Sequence, residues 1–306
     1  MNYQDYQNSN VKDKTSYFLD SLSPSNRTAD YYVNWDKVID KHNAYFDYLK
    51  ELNSLLGIEN IKEEARSLFL RKPYLLKAIP ILIAHRIKNN EQMIVMELDE
   101  QYNRSFYSLD FNNIDLNEID EYLKFIEDTG LFDFLKNSGI TNLSDYLYGV
   151  EAGMDTNARK NRSGDAMESF IERQVREACE RLNYDYRTQL TSKKIKEELG
   201  WDINTDRKNR RFDAVIYNCD SNEIYIIETN YFGGGGTKPS SVTGEFTGLD
   251  HEIKQSDTSV TFIWVTDGLG WKDGRRALEE SFNHIDYIFN MEMLENDYIY
   301  EFLKQQ

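Results

Sequence analysis

Apolar residues recur at helical spacing across residues 32–56 (Val33, Val38, Tyr45, Leu49, Leu52, Leu55, Leu56) until Gly57 stops the run, which predicts a helix there. Residues 61–70 and 116–135 predict two more, the latter with Tyr122, Phe125, Leu131 and Phe134 on its apolar side. Pro73 opens a further helical stretch over 74–87, which Pro80 must kink or break. Residues 93–98 and 106–111 read as short strands, and residues 1 to about 14, being polar, predict a frayed end. The first half is therefore mostly helical. No repeat and no Pro- or Gly-rich linker divides the chain, so a helical N-terminal region, 1–148, passes softly into a second region, 149–306.

The second region has a different rhythm. Residues 149–165 are polar and predict a loop. Residues 165–182 form an amphipathic pattern with Met167, Phe170, Ile171, Val175, Ala178 and Leu182 on one face, and Asp165 and Glu168 have the spacing of a capping box. A strand over 184–190 follows. Next comes a hairpin: an apolar run holding Asp213, a polar turn, and a second apolar run ending in Glu228-Thr229-Asn230. A helix over 241–255, a strand over 260–266, the turn Asp267-Gly268 and a helix over 273–282 complete the order. This order predicts an α/β chain, an α+β mixed sheet flanked by helices.

Composition narrows the class. With 40% hydrophobic and 13% aromatic residues the 306-residue chain has material for a large core. Its 53 acidic against 36 basic residues give a net charge of -17, which argues against nonspecific nucleic-acid binding by the whole surface. Residues 157–211 nevertheless hold 14 Lys and Arg against 10 Asp and Glu, a basic strip compatible with DNA. Two cysteines, Cys179 and Cys219, give no disulfide framework. The longest apolar stretch, 78–84, is too short to span a bilayer and contains Pro80. A soluble, cytoplasmic protein with no membrane partner is expected.

The hairpin carries the chemistry. Charged groups inside apolar strands are costly unless paired or bound to metal. If Tyr217 faces Ile224, paired residue numbers sum to 441 and Asp213 lies opposite Glu228, with Cβ atoms about 4.5–5.5 Å apart. Two carboxylates that close repel unless a cation lies between them. Oxygen ligands suit Mg²⁺, with Mn²⁺ as a substitute, and such an ion serves phosphodiester hydrolysis. With four histidines and no HxxxH or CxxC pair, zinc does not fit. The plainer reading is that Asp213 and Glu228 are strand-end charges satisfied by the neighbouring Arg/Lys run. Glu168 is likewise either a capping residue or a third acidic ligand.

The tract Gly233–Gly236 with Thr237-Lys238 lacks the phosphate-loop spacing; it either lets a phosphate backbone approach beside Lys238 or is simply flexible. Asn157, Arg159, Lys160 and Arg162 are either a solvated loop or side chains suited to reading base edges in the major groove.

Taken together, GVEAGMDTN at 149–157, RKNR at 159–162, GDAME at 164–168, FD at 212–213, ETNYF at 228–232, GTK at 236–238 and WVTDG at 264–268 with GW at 270–271 resemble the DpnII/MboI family of type II restriction endonucleases. Residues 75–86 look similar as well. The resemblance implies a restriction-endonuclease-like core of the PD-(D/E)XK nuclease type. It implies a Mg²⁺-dependent homodimer that cuts both strands of double-stranded DNA 5′ to the G of unmethylated GATC, leaving a four-base overhang. It also implies a cognate adenine methyltransferase that acts on the same site. The superfamily's usual Lys is Asn230 here, as it is in the family. An amide cannot act as a general base, so Asn230 either orients the attacking water or ligates through its carbonyl oxygen. Asp213 and Glu228 are expected to hold the metal with Glu168 assisting, and Lys238 to lie near the scissile phosphate. The segment 239–246 departs from the Arg-Ser-Tyr of some relatives, which bears on the GATC expectation. The alternatives are a non-catalytic DNA-binding protein with a decayed nuclease fold, and a nuclease without sequence preference or specific for DNA structure.

Overall fold

The computed structural model describes residues 1–203, 205, 209–220, 222–234, 238–256 and 259–306, and their side chains other than those of Lys160, Lys238, Ser240 and Ser256. The chain divides into two compact units, residues 32–159 and residues 1–31 together with 160–306. This differs from the expected division at 148. The first 31 residues belong with the second region, and the change of unit falls at the start of the helix Arg159–Leu182.

In the unit 32–159 the helical pattern holds, with breaks. The 32–56 stretch is two helices, Trp35–Asn43 and Phe46–Leu52, and the 116–135 stretch breaks at Gly130, whose φ of 74° ends the helical path. Pro73 opens a 3-10 segment, Pro73–Ala78, and Pro80 sits in the first turn of Ile79–Leu82, where its missing N–H is harmless. The two expected strands, β1 (Met93–Leu98) and β2 (Arg104–Leu109), form an antiparallel hairpin. Residues 149–165, expected as a loop, are helical: Leu143–Asp155, a 3-10 turn Thr156–Ala158, then Arg159–Leu182. Two of their acidic side chains point inward to partners remote in sequence. Buried Glu151 pairs with Arg86, and buried Asp155 accepts the backbone N–H of Asn34 at 2.9 Å.

The other unit is built on a five-stranded sheet, β3 (Asp185–Thr191), β4 (Arg211–Asn218), β5 (Glu223–Tyr231), β6 (Val260–Asp267) and β7 (Ile288–Phe289), in that spatial order. β3, β4 and β5 are antiparallel neighbours, whereas β5, β6 and β7 run parallel. The parallel step from β5 to β6 requires a crossover, supplied by the helix Lys238–Ser256. Consecutive residues of β4 and β5 are buried, Ala214 to Tyr217 and Ile224 to Ile227, so both faces of the sheet are covered. Met167, Ile171, Val175 and Ala178 of one helix and Phe246, Leu249 and Ile253 of the other share this core.

The N-terminus is not frayed. Asn2 and Asn10 cap the helices Tyr3–Asn8 and Val11–Asp20, and Tyr3, Tyr6 and Phe18 are buried in the sheet's core. The Tyr6 hydroxyl donates to the Ile288 carbonyl at 2.8 Å, tying the first helix to β7. Three aromatic anchors outweigh the polar residues between them.

Candidate active site

The hairpin has the expected register: Ala214–Ile227, Val215–Ile226, Ile216–Tyr225, Tyr217–Ile224 and Asn218–Glu223. The ladder stops there, one rung short of Asp213 and Glu228. The amides of Ile224 in β5 and of Phe232 just past its end both donate toward β6, to the carbonyls of Ser259 just before that strand and Asp267 at its end. By alternation the Thr229 amide points back toward β4. Asp213 answers it with its side chain, Oδ2 accepting from Thr229 N and Thr229 Oγ1, both at 2.8 Å.

Glu168 lies well inside its helix, so the capping-box reading does not hold. Instead Gln189 Nε2 donates to Glu168 Oε2 at 2.8 Å and to Asp213 Oδ1 at 3.3 Å. The two carboxylates thus meet around one point. Burial, then the charges of Asp213 and Asp165, raise the pKa of Glu168 above the usual carboxylate range, opposed by Arg211.

Glu228 is placed differently. It is 8% exposed, and its Oε1 accepts from Arg210 Nε at 2.8 Å. Arg210 reaches on to Glu245 at 3.1 Å and lies 5.5 Å from the Phe246 ring. Burial pushes the Glu228 carboxyl up to about 7, against the Arg210 hydrogen bond, with Asp213 adding to the rise. Desolvation outweighs the ion pair here. Among the described residues no three His, Cys, Asp or Glu side chains gather in a metal-binding group, so the expected trio of Glu168, Asp213 and Glu228 is not assembled. Glu168 and Asp213 converge, while Glu228 is satisfied by Arg210, as the plainer reading of the basic run anticipates.

Asn230 has a fixed orientation. The Trp271 indole N–H can only donate, and it donates to Thr266 Oγ1 at 2.8 Å. Thr266 therefore spends its single proton on Asn230 Oδ1. One lone pair of the amide oxygen is thus engaged by Thr266, and the NH₂ of Asn230 faces away from that hydroxyl, able to donate to a ligand.

Glu168, Asp213, Thr229 and Asn230 line one cleft of about 690 Å³ whose other wall comes from the N-terminal segment, through Asn26, Arg27 and Tyr31. That segment is clamped in place. Buried Asp267 accepts from Ser23 N and Oγ and from Met291 N at 2.8–2.9 Å. Tyr231 donates to the Ser23 carbonyl, and Asn26 donates to Ser163. Arg27 stacks its guanidinium 4.9 Å from the Tyr31 ring. Arg27, Gln189 and Arg210 are the residues that sequence reasoning missed; Arg210 alone gave a signal, as part of the basic run.

The expected DNA-contacting residues are scattered in their roles. Asn157 is exposed in the turn Thr156–Ala158. Arg159 donates to the Tyr32 carbonyl at 3.1 Å, and Arg162 to the Tyr31 carbonyl at 2.9 and 3.1 Å. The side chains of Lys160 and Lys238, and residues 235–237 of the glycine tract, lie outside the described residues. The tract's described part has a structural use. A Cβ on Gly270 would lie 2.4 Å from the Gly234 carbonyl oxygen, and one on Gly268 (φ 103°) 2.4 Å from that of Phe232. These glycines let the turn after β6 press against the strand end that carries Asn230. No helix among the described residues is long and apolar enough to cross a membrane.

Comparison with known proteins identifies the family to which these residues belong. A family model described as DpnII restriction endonuclease matches residues 14–301. The chain is 43% identical over 306 residues to the type II restriction enzyme LlaDCHI of Lactococcus lactis subsp. cremoris, covering all of both chains. It is 39% identical over 293 residues to MjaIII of Methanocaldococcus jannaschii, covering 94% of this chain and 99% of that one. To DpnII of Streptococcus pneumoniae it is 33% identical over 271 residues, covering 87% and 90%. The chain thus belongs to the DpnII restriction endonuclease family, and its activity is that of a type II site-specific deoxyribonuclease.

Proposed function

We propose that the enzyme is a Mg²⁺-dependent homodimer that hydrolyses both strands of double-stranded DNA at unmethylated GATC, 5′ to the G. The observation that carries the chemistry is the meeting of Glu168 and Asp213 at one point in a cleft shared with Asn230. Two carboxylates at one point fit a hard divalent cation, since Mg²⁺ takes one or two carboxylates and keeps its waters. Glu168 and Asp213 would hold it. Glu228 would join them only by loosening its bond to Arg210. When bound, the ion supplies positive charge against the charge that builds on the phosphate in the transition state.

The chain's own residues do the rest. Asn230, its oxygen held by Thr266, donates from its NH₂ to the attacking water and fixes its direction. It does not take the water's proton, which passes to a phosphate oxygen or to solvent. The Arg27 guanidinium, in the cleft wall, grips the phosphodiester in place of the lysine that Asn230 replaces. Asn157, Arg159, Lys160, Arg162 and Lys238 remain the candidates for wider DNA contact. The sequence motifs support GATC, and a palindrome suits a two-fold symmetric protein. A cognate methyltransferase would protect the host by placing a methyl group on adenine in the major groove.

The test is digestion of adenine-methylated and unmethylated plasmid with Mg²⁺, with Mn²⁺, and with EDTA. Discrete GATC fragments from unmethylated DNA alone are expected, with either ion and not with EDTA. Fragments ending at another sequence would refute the site, and undiminished cutting in EDTA would refute the metal.

A further inference from the structure

Opposite Asp213 the β3–β4 ladder skips a rung. Thr188 pairs with Ala214 and Leu190 with Phe212, but Gln189 between them does not pair. Its φ of 54° lies in the left-handed region, a conformation that a residue with a Cβ rarely adopts inside a strand. This backbone aims the side chain between the two acids, with Nε2 at 2.8 Å from Glu168 and 3.3 Å from Asp213.

The amide's orientation follows from its neighbours. Two carboxylates accept hydrogen bonds, so the NH₂ faces them. The consequence is an Oε1 that is buried with no hydrogen-bond partner, a state that native structures seldom tolerate without a reason. A half-turn about the last side-chain torsion would exchange the two atoms, putting Oε1 where Nε2 stands. Facing two bare carboxylates that arrangement is repulsive. With a divalent cation among them it becomes attractive, and N–H facing the cation becomes the repulsive choice.

We propose that Gln189 is a cation-sensitive amide: it bridges Glu168 and Asp213 through Nε2 when no metal is bound, and turns to offer Oε1 as a third oxygen ligand when Mg²⁺ is. This inference rests on the reading of Glu168 and Asp213 as the carboxylates that hold the ion. A neutral oxygen beside two carboxylates is a donor set that a hard cation accepts, and the strained backbone at 189 is then the means of keeping the amide in reach.

The experiment is calorimetric titration of the metal-free, DNA-free full chain with Mg²⁺ and Mn²⁺. Wild type is compared with Gln189→Met, Gln189→Glu, Gln189→Gly and Asp213→Asn. Gln189→Met is expected to weaken binding about tenfold or more, and Gln189→Glu to tighten it by a similar factor. Gln189→Gly removes the side chain while relieving the backbone, and it should weaken binding like the Met variant even if that variant folds poorly. The ¹⁵N side-chain amide signal of Gln189, identified by its loss in Gln189→Met, should shift on saturation with Mg²⁺. Wild-type affinity in both Gln189→Met and Gln189→Gly, with Asp213→Asn impaired, would overturn the role of Gln189 alone. No binding by wild type, or full binding by Asp213→Asn, would overturn the two-carboxylate reading and this inference together.

Discussion

Replacing Arg210 with Met tests the balance of forces around Glu228. The pair is nearly dry, with side-chain exposures of 7% for Arg210 and 10% for Glu228. Removing one partner of such a pair leaves a buried charge uncompensated, which costs about 3–5 kcal/mol. Contact with the one-third-exposed Glu245 adds at most about 1 kcal/mol, and the guanidinium over Phe246 about 0.5–1. The carboxyl can escape part of the penalty by taking up a proton, so a loss of roughly 3–5 kcal/mol in total is expected. Glu228→Gln removes the charge instead. The double variant Arg210→Met/Glu228→Gln should recover at least about 2 kcal/mol of the loss as a coupling energy. Urea unfolding at pH 8 in EDTA measures all four proteins without a divalent ion competing for Glu228. A single-variant loss below about 1 kcal/mol, or strict additivity of the two substitutions, would refute the claim that burial and not surface charge governs this pair.

Four more outcomes are expected. Tyr6→Ala should destabilise the protein by about 3–5 kcal/mol in the same unfolding assay, because the ring is buried and its hydroxyl bonds Ile288; a frayed terminus would give no change. Gly270→Ala should cost about 1–3 kcal/mol, since its Cβ meets the Gly234 and Phe232 carbonyl oxygens; an unaltered unfolding midpoint would show that this contact yields freely. Arg27→Ala should leave stability within about 0.5 kcal/mol, the residue being exposed, yet lower kcat/KM on DNA by about tenfold or more; unchanged kinetics would remove it from the cleft's chemistry. Of the two thiols only Cys219 should react with a disulfide reagent in the native state at pH 8. Cys179 is buried, and burial raises its pKa to about 12; two fast equivalents would contradict that.

Local pattern revealed what local physics decides. The hairpin register, the strand bounds near 213 and 228, and the crossover helix could all be read because alternation and turn residues act over a few positions. The same logic failed at the last rung. It assumed that pairing continues to Asp213 and Glu228, whereas Asp213 spends a carboxylate oxygen on the Thr229 amide and Glu228 turns to Arg210. Arg210 stands in a basic run that looks like any solvated surface, and Gln189 is an ordinary polar residue of a strand until its φ is known. Residues 149–165 read as a loop because their buried acids find Arg86 and Asn34 far away in the sequence. The N-terminal segment's place in the cleft depends on Asp267, more than 200 residues distant in the chain.

Residues 32–159 interrupt the unit that contains the cleft, and this bears on how the enzyme is made. During synthesis residues 1–31 emerge long before their partners, Asp267, Ile288 and Asn290, more than 200 residues further along the chain. The interrupting helical unit has its whole core in hand much earlier, and domains generally fold as units as the chain appears. Once folded, it shortens the stretch of loose chain that must close between residues 31 and 160, lowering the entropic cost of joining the ends. A nascent chain therefore has no complete cleft until residues near 290 are available. For an enzyme that cuts DNA, such an order of assembly keeps every unfinished copy without a working cleft.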